Sequence, residues 1–195
     1  MTAVAKRNVT SAEAYTGRFV DLMDPKPEQI SLADIAQGLS AAPRFGGQIS
    51  RFYSVAEHSV RCAEEAERMM LSQPARLATL FHDAHEAYTG DIIAPVKQVL
   101  LLDGDALPRL QHRLDVAIAA KFELQLELFK LPVVKLIDDA VMFHEAAGLK
   151  YSHGIGEHWG NDEYYEPLVD YGWSQPEAAR RFIETYERLT CRAHS

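Results

Sequence analysis

The sequence predicts an all-α fold, one compact bundle of about five to seven helices over residues 1–195. Three observations carry that expectation. Apolar side chains recur at helical spacing, cap signals cut the chain into helix-length pieces, and nowhere do two adjacent β-type runs flank a turn. Taken in order, residues 1–14 read as a loose N-terminal segment. "SLADIAQGLS" begins a short helix at Ser31, with Asp34 completing a capping-box pattern. Ser54 and Glu57 repeat that spacing and open a helix over about residues 55–71. Gln73-Pro74 breaks it, and the next helix carries Leu77, Leu80, Phe81, Ala84 and Tyr88 on one face, with Gly90 placed to end it. Pro108 and Pro132 fit the first turns of helices over roughly 107–124 and 132–149. Residues 151–173, rich in Gly and aromatics and without periodicity, read as an ordered surface loop, and Ser174, Pro176 and Glu177 announce a last helix to about Thr190.

Composition narrows the function classes. With 47% hydrophobic and 25% charged residues the chain is an ordinary globule, and its formal charge of -8 disfavours polymeric nucleic acid or an anionic membrane as a partner. Cys62 and Cys191 form no disulfide framework and no CxxC, which suits a reducing, cytoplasmic setting. The first residues, MTAVAKRNVT, lack the apolar run of a signal peptide, and no stretch approaches the ~18 apolar residues of a membrane span.

Chemistry concentrates in "LFHDAHEAYTGDI", where His82, Asp83, His85 and Glu86 stand among core-type residues. On a continuous helix His82, Asp83 and Glu86 share a face, since residues three and four apart are neighbours. One helix earlier, His58 shares its side with Val55 and Cys62 and points inward. One helix later, Asp139 stands three after Leu136 and four before Phe143, which places it on the apolar stripe. Asp138 is read as its solvated neighbour, although the spacing does not firmly exclude the reverse. Buried titratable groups require partners, and their convergence from three helices points to one divalent metal. Nitrogen and oxygen donors without thiolate suit Mn, Fe, Co, Ni or Zn and argue against a closed structural zinc site.

"EHS", "FHDAHEAYTGDIIAPVK" and "DDAV" together resemble the HD-domain metal-dependent phosphohydrolase superfamily, and within it the YfbR-type 5′-deoxynucleotidases and phage-type dNTP phosphohydrolases. The resemblance covers about residues 15–150. It implies metal ligation by His58, His82, Asp83 and Asp139, and proton transfer or water positioning by Glu86 and Asp91. It further implies that Arg44 contacts the substrate phosphate or sugar, that Lys97 contacts the phosphate, and that Phe45 packs on the nucleoside. His85 departs from the pattern, standing where relatives carry a small residue; a substrate contact, a supporting group and a surface side chain are the open alternatives.

The expected activity is hydrolysis of a (deoxy)nucleotide, foremost a 5′-deoxynucleotidase acting on dNMPs by metal-activated water. Mg could accompany the substrate phosphates. The alternatives are a dNTP triphosphohydrolase releasing tripolyphosphate and a non-catalytic nucleotide-binding module. The resemblance also suggests a homodimer or higher oligomer, without a heptad seam to support it. In the 151–173 loop, Trp159, Tyr164, Tyr165 and Trp173 suggest packing onto the bundle or a dimer contact ahead of a nucleobase cover.

Overall fold

The computed structural model describes residues 9–160, 163, 165–167, 170 and 172–191. Among them the class is all-α. There are seven helices of nine or more residues: α1 (Leu32–Ala41), α2 (Val55–Arg68), α3 (Gln73–Phe81), α5 (Ala94–Leu102), α6 (Ala106–Lys121), α7 (Pro132–Leu149) and α8 (Gln175–Cys191). A single-turn helix, α4 (Glu86–Thr89), lies between α3 and α5. The caps act as their residue types dictate: the Ser31 and Ser54 side chains accept from the N–H of Asp34 and Glu57, satisfying donors a helix start leaves free.

Helix α2 is the hub, packing on α3, α7 and α8, while α1 lies against α8 and α4. The apolar core gathers Ile35, Leu39, Val55, Val60, Leu80, Phe81, Leu114, Ile118 and Phe182. At its centre Phe81, Phe122, Phe182 and Tyr186 meet with ring centroids 5.0–5.7 Å apart, largely edge to face. Close approach brings α4 to α1: a Cβ at Gly38 would sit 2.6 Å from the Ala87 carbonyl oxygen, so a side chain there would push away the turn bearing Glu86.

Three features differ from the sequence reading. Within the segment expected to be loose, Ser11–Glu13 (β1) pairs antiparallel with Phe19–Asp21 (β2), a hairpin whose three-residue strands are too short to show alternation. The helix expected to run through residues 82–85 stops at Phe81, and tight turns follow, with Ala84 N–H donating to Phe81 O and Glu86 N–H to Asp83 O. Helix α5 was not anticipated; none of its residues is buried, so it has no apolar stripe facing a core. In the aromatic loop, Trp173 is buried between the guanidinium groups of Arg61 and Arg181, 4.7 and 4.2 Å from its ring centroid. Tyr164 lies outside the described residues. Among the described residues no helix is long and apolar enough to cross a membrane.

Candidate metal centre and cavity

His58 occupies the first turn of α2, where its own N–H donates to Ser54 O, and its side chain is fully buried. His82 and Asp83 begin the turn after α3, and Asp138 projects from α7. The four donor atoms of these side chains lie within 4.8 Å of one another. Asp138 Oδ1 is 3.2 Å from His58 Nε2 and 3.8 Å from His82 Nε2. Asp83 Oδ2 is 3.3 Å from His82 Nε2 and 4.0 Å from His58 Nε2.

The far nitrogen of each imidazole fixes which one faces the cluster. Glu145 Oε1 lies 2.7 Å from His58 Nδ1, and the Thr79 carbonyl lies 2.7 Å from His82 Nδ1. With Nδ1–H donating to each, Nε2 is the nitrogen that each ring turns toward the cluster, the outer support that metal-binding histidines usually have. His82 Nε2 is buried and makes no hydrogen bond, although a carboxylate oxygen lies 3.3 Å away. The four donor atoms are close enough together to share one ion, and two imidazoles with two carboxylates fit a divalent cation there. Cys62, four residues after His58, adds a buried sulfur 3.5 Å from His58 Nε2.

Charge follows from the same packing. Burial and Arg44 oppose a proton on His58, yet Cys62, Glu145 and Asp138 outweigh them and raise its pKa well above the usual histidine range. Burial likewise opposes protonation of His82, and Asp83 with Asp138 overcomes it. Asp83 and Asp138 are held far below the ordinary carboxylate range: burial works against their charge, and the imidazoles beside them more than compensate.

The expected ligand Asp139 is a correction. Its side chain is 40% exposed and its Oδ1 is 2.6 Å from Lys135 Nζ, while Asp138 takes the place among the imidazoles. The cause is helical phase. The buried stripe of α7 is Val134, Ile137 and Val141, so Asp138, four after the first and three before the last, faces inward. Leu136, which set the expected phase, is 60% exposed. Glu145 went unrecognised as well, although it stands two turns beyond Asp138 on the same face and is fully buried.

A cavity of about 360 Å³ opens beside the cluster and brings together Arg44, Phe45, Asp83, Glu86, Asp91 and Lys97, all singled out from sequence. Lys135, Asp138, Lys150 and Trp159 add to its polar and aromatic lining. Arg44 is buried and ties the layers together, Nη1 3.7 Å from Asp83 Oδ2 and Nε 3.4 Å from Glu145 Oε2. Phe45 adopts a left-handed φ of 55°, followed by Gly46 and Gly47, also at positive φ. That turn sets its ring edge-on to Trp159, with centroids 6.2 Å apart. Glu86 is buried and its pKa is pushed up to about 7 by desolvation and the charges of Asp83 and Asp91; Lys97 Nζ, 3.2 Å from its Oε1, opposes the rise. His85 does not line this cavity; its Nδ1 is 2.9 Å from Asp115 Oδ1 on α6, so the expected substrate contact is replaced by a buried ion-pair geometry. The broken helix is the reason, because the turn after His82 sends the His85 ring toward α6.

No family model matches the chain. It is 41% identical over 113 residues to an uncharacterized protein of Rhodobacter capsulatus, covering 56% of each chain. It is 38% identical over 112 residues to the uncharacterized protein YfdR of Escherichia coli, covering 57% of this chain and 58% of that one. The chain thus spans a little over half the length of the curated relatives it matches.

Proposed function

We propose that the chain is a metal-dependent phosphohydrolase acting on a (deoxy)nucleotide, foremost a dNMP. The observation that carries this reading is the pair of imidazoles whose Nδ1 atoms are occupied by Glu145 and Thr79 while their Nε2 atoms converge with Asp83 and Asp138 at the wall of a charged cavity. His58, His82, Asp83 and Asp138 would hold the cation, with Mn, Fe, Co, Ni and Zn as candidates. A divalent cation bound there lowers the pKa of water toward neutrality and offsets phosphate charge.

The protein groups supply the rest. Arg44, held charged by Glu145 and Asp83, and Lys97 offer donors to phosphate oxygens as charge builds on them. Glu86, poised near 7, can exchange a proton at neutral pH, with Asp91 on the same wall. Phe45 and Trp159 provide an apolar edge of the type that packs on a nucleoside.

A dNTP triphosphohydrolase is the second reading, favoured by Lys135 and Lys150, which add cationic groups to the cavity. Lys135 is already paired with Asp138 and Asp139, which keeps the monophosphate reading first. The test is a panel of dNMPs and dNTPs with Mn, Co, Zn or Mg, with the released products identified. Inorganic phosphate from dNMPs supports the first reading and tripolyphosphate from dNTPs the second. Inactivity with every pair would leave a binding module.

A further inference from the structure

Cys62 touches the candidate metal centre, yet the chemistry proposed for that centre makes no use of it. It stands four residues after His58 on α2, so both side chains leave the helix on one face. That spacing lets one helix present two donors to one metal. Both residues are fully buried. Cys62 Sγ lies 3.5 Å from His58 Nε2, the nitrogen turned toward the cluster. Bonds of about 2.3 Å to sulfur and about 2.0 Å to nitrogen, at a tetrahedral angle, put two such donors roughly 3.5 Å apart. Sγ, a ring nitrogen of His58 and one of His82 lie within 4.8 Å of one another. His82 gives an independent sign of an occupant, because its side chain is 8% exposed and its Nε2 is buried without a hydrogen-bond partner. Packing accounts for the size of Cys62 but not for its sulfur: it clusters with Ala66, Ile137 and Val141, where an aliphatic side chain would fill the same space.

We infer that Cys62 is a thiolate ligand of the cation held by His58 and His82, and that it narrows the metal to Zn or Fe. The inference rests on the metal-centre reading and deepens it. Thiolate is a soft donor, and beside two imidazoles it favours Zn or Fe over Mn and Mg, which suit oxygen ligands. The S–H proton leaves to solvent as sulfur bonds the metal, since the thiolate is the binding form. Asp83 and Asp138 line the cavity and Cys62 does not. Sulfur therefore binds from the protein interior and leaves the cavity side of the centre to water and phosphate.

The test is a Co(II) titration of the chelator-treated full chain, read by absorption, with Co(II) standing in for Zn. Wild type is expected to develop a near-ultraviolet thiolate-to-Co(II) charge-transfer band. Cys62→Ser is expected to bind Co(II), seen in its visible ligand-field bands, with the near-ultraviolet band lost, and Cys191→Ser to keep that band. Competition dialysis reads the metal preference: the ratio of Zn to Mn affinity should fall in Cys62→Ser, and an unchanged ratio overturns the choice of metal. Wild type that binds Co(II) without the near-ultraviolet band overturns the thiolate ligand and spares the four-donor centre, as does a band that survives in Cys62→Ser. Wild type that binds no Co(II) removes the metal centre itself. The wild-type spectrum alone can overturn the assignment, so the test holds even where Cys62→Ser fails to fold.

Discussion

Phe81 and His82 are neighbours in sequence and belong to opposite kinds of interior. Phe81 ends α3 within a cluster of aromatic rings and needs no oriented partner; its contribution follows from the apolar area it hides. His82, one residue on, is largely enclosed, but its place depends on a hydrogen bond to Thr79 O and on donors arriving from α2 and α7. The first environment tolerates approximate geometry and the second does not. Substitutions in the aromatic cluster should therefore cost stability, and those in the donor cluster should cost cation binding and turnover.

The largest effect separates two adjacent aspartates. Asp138→Asn is expected to lose bound cation and activity together, by more than the roughly 10–100-fold typical of an outer supporting residue. Asp139→Asn, on an exposed pair with Lys135, should change stability by less than about 0.5 kcal/mol and leave cation content intact. Metal analysis and a thermal melt on both proteins check this; matched losses in the two would erase the helical-phase assignment.

Glu86→Gln comes next, with turnover expected to fall about 10²–10⁴-fold. Stability should move the other way. The folded-state pKa near 7 lies above the ordinary carboxylate value, so folding favours the protonated form and that contribution is lost as pH rises through 7. In chelator-treated protein the Gln variant should therefore gain on wild type between about pH 5 and 7.5, approaching 3 kcal/mol at most. Denaturant titrations across that range measure it, and a gain that shrinks with rising pH would reverse the sign of the claim.

Phe81→Ala should destabilise the fold by about 3–5 kcal/mol through the cavity it leaves among Phe122, Phe182 and Tyr186. Where the variant remains folded, its cation affinity should match wild type, a combination that calorimetry resolves. Glu145→Gln is the smallest of the losses expected at the buried positions and the most diagnostic. It keeps the shape beside His58 but removes the carboxylate from Nδ1, so affinity should drop about 10–100-fold with the four donors still present.

The same contrast explains what the sequence revealed. Apolar periodicity exposed the bundle, the caps at Ser31 and Ser54 and the span of α7, because burying a stripe is a repetitive constraint. Asp83 and Glu86 were legible as polar groups among core-type residues, Asp91 and Lys97 through the family resemblance, and these four do line one cavity. Phase within α7 was not legible, since exposed Leu136 imitated a core residue and moved the inward position from Asp138 to Asp139. Glu145 and Asp115 escaped for another reason: they act on the far side of a ring carried by a different element, through contacts that no spacing within one helix encodes. The turn after Phe81 belongs to this group too, for it is the break that lets His82 and His85 face different partners.

Anomalous diffraction from crystals soaked in Mn(II) tests the central claim most directly. A peak in coordination contact with His58 Nε2, His82 Nε2 and carboxylate oxygens of Asp83 and Asp138 is the predicted result. An empty position there, or a peak at Asp139 with the two imidazoles uninvolved, would contradict it.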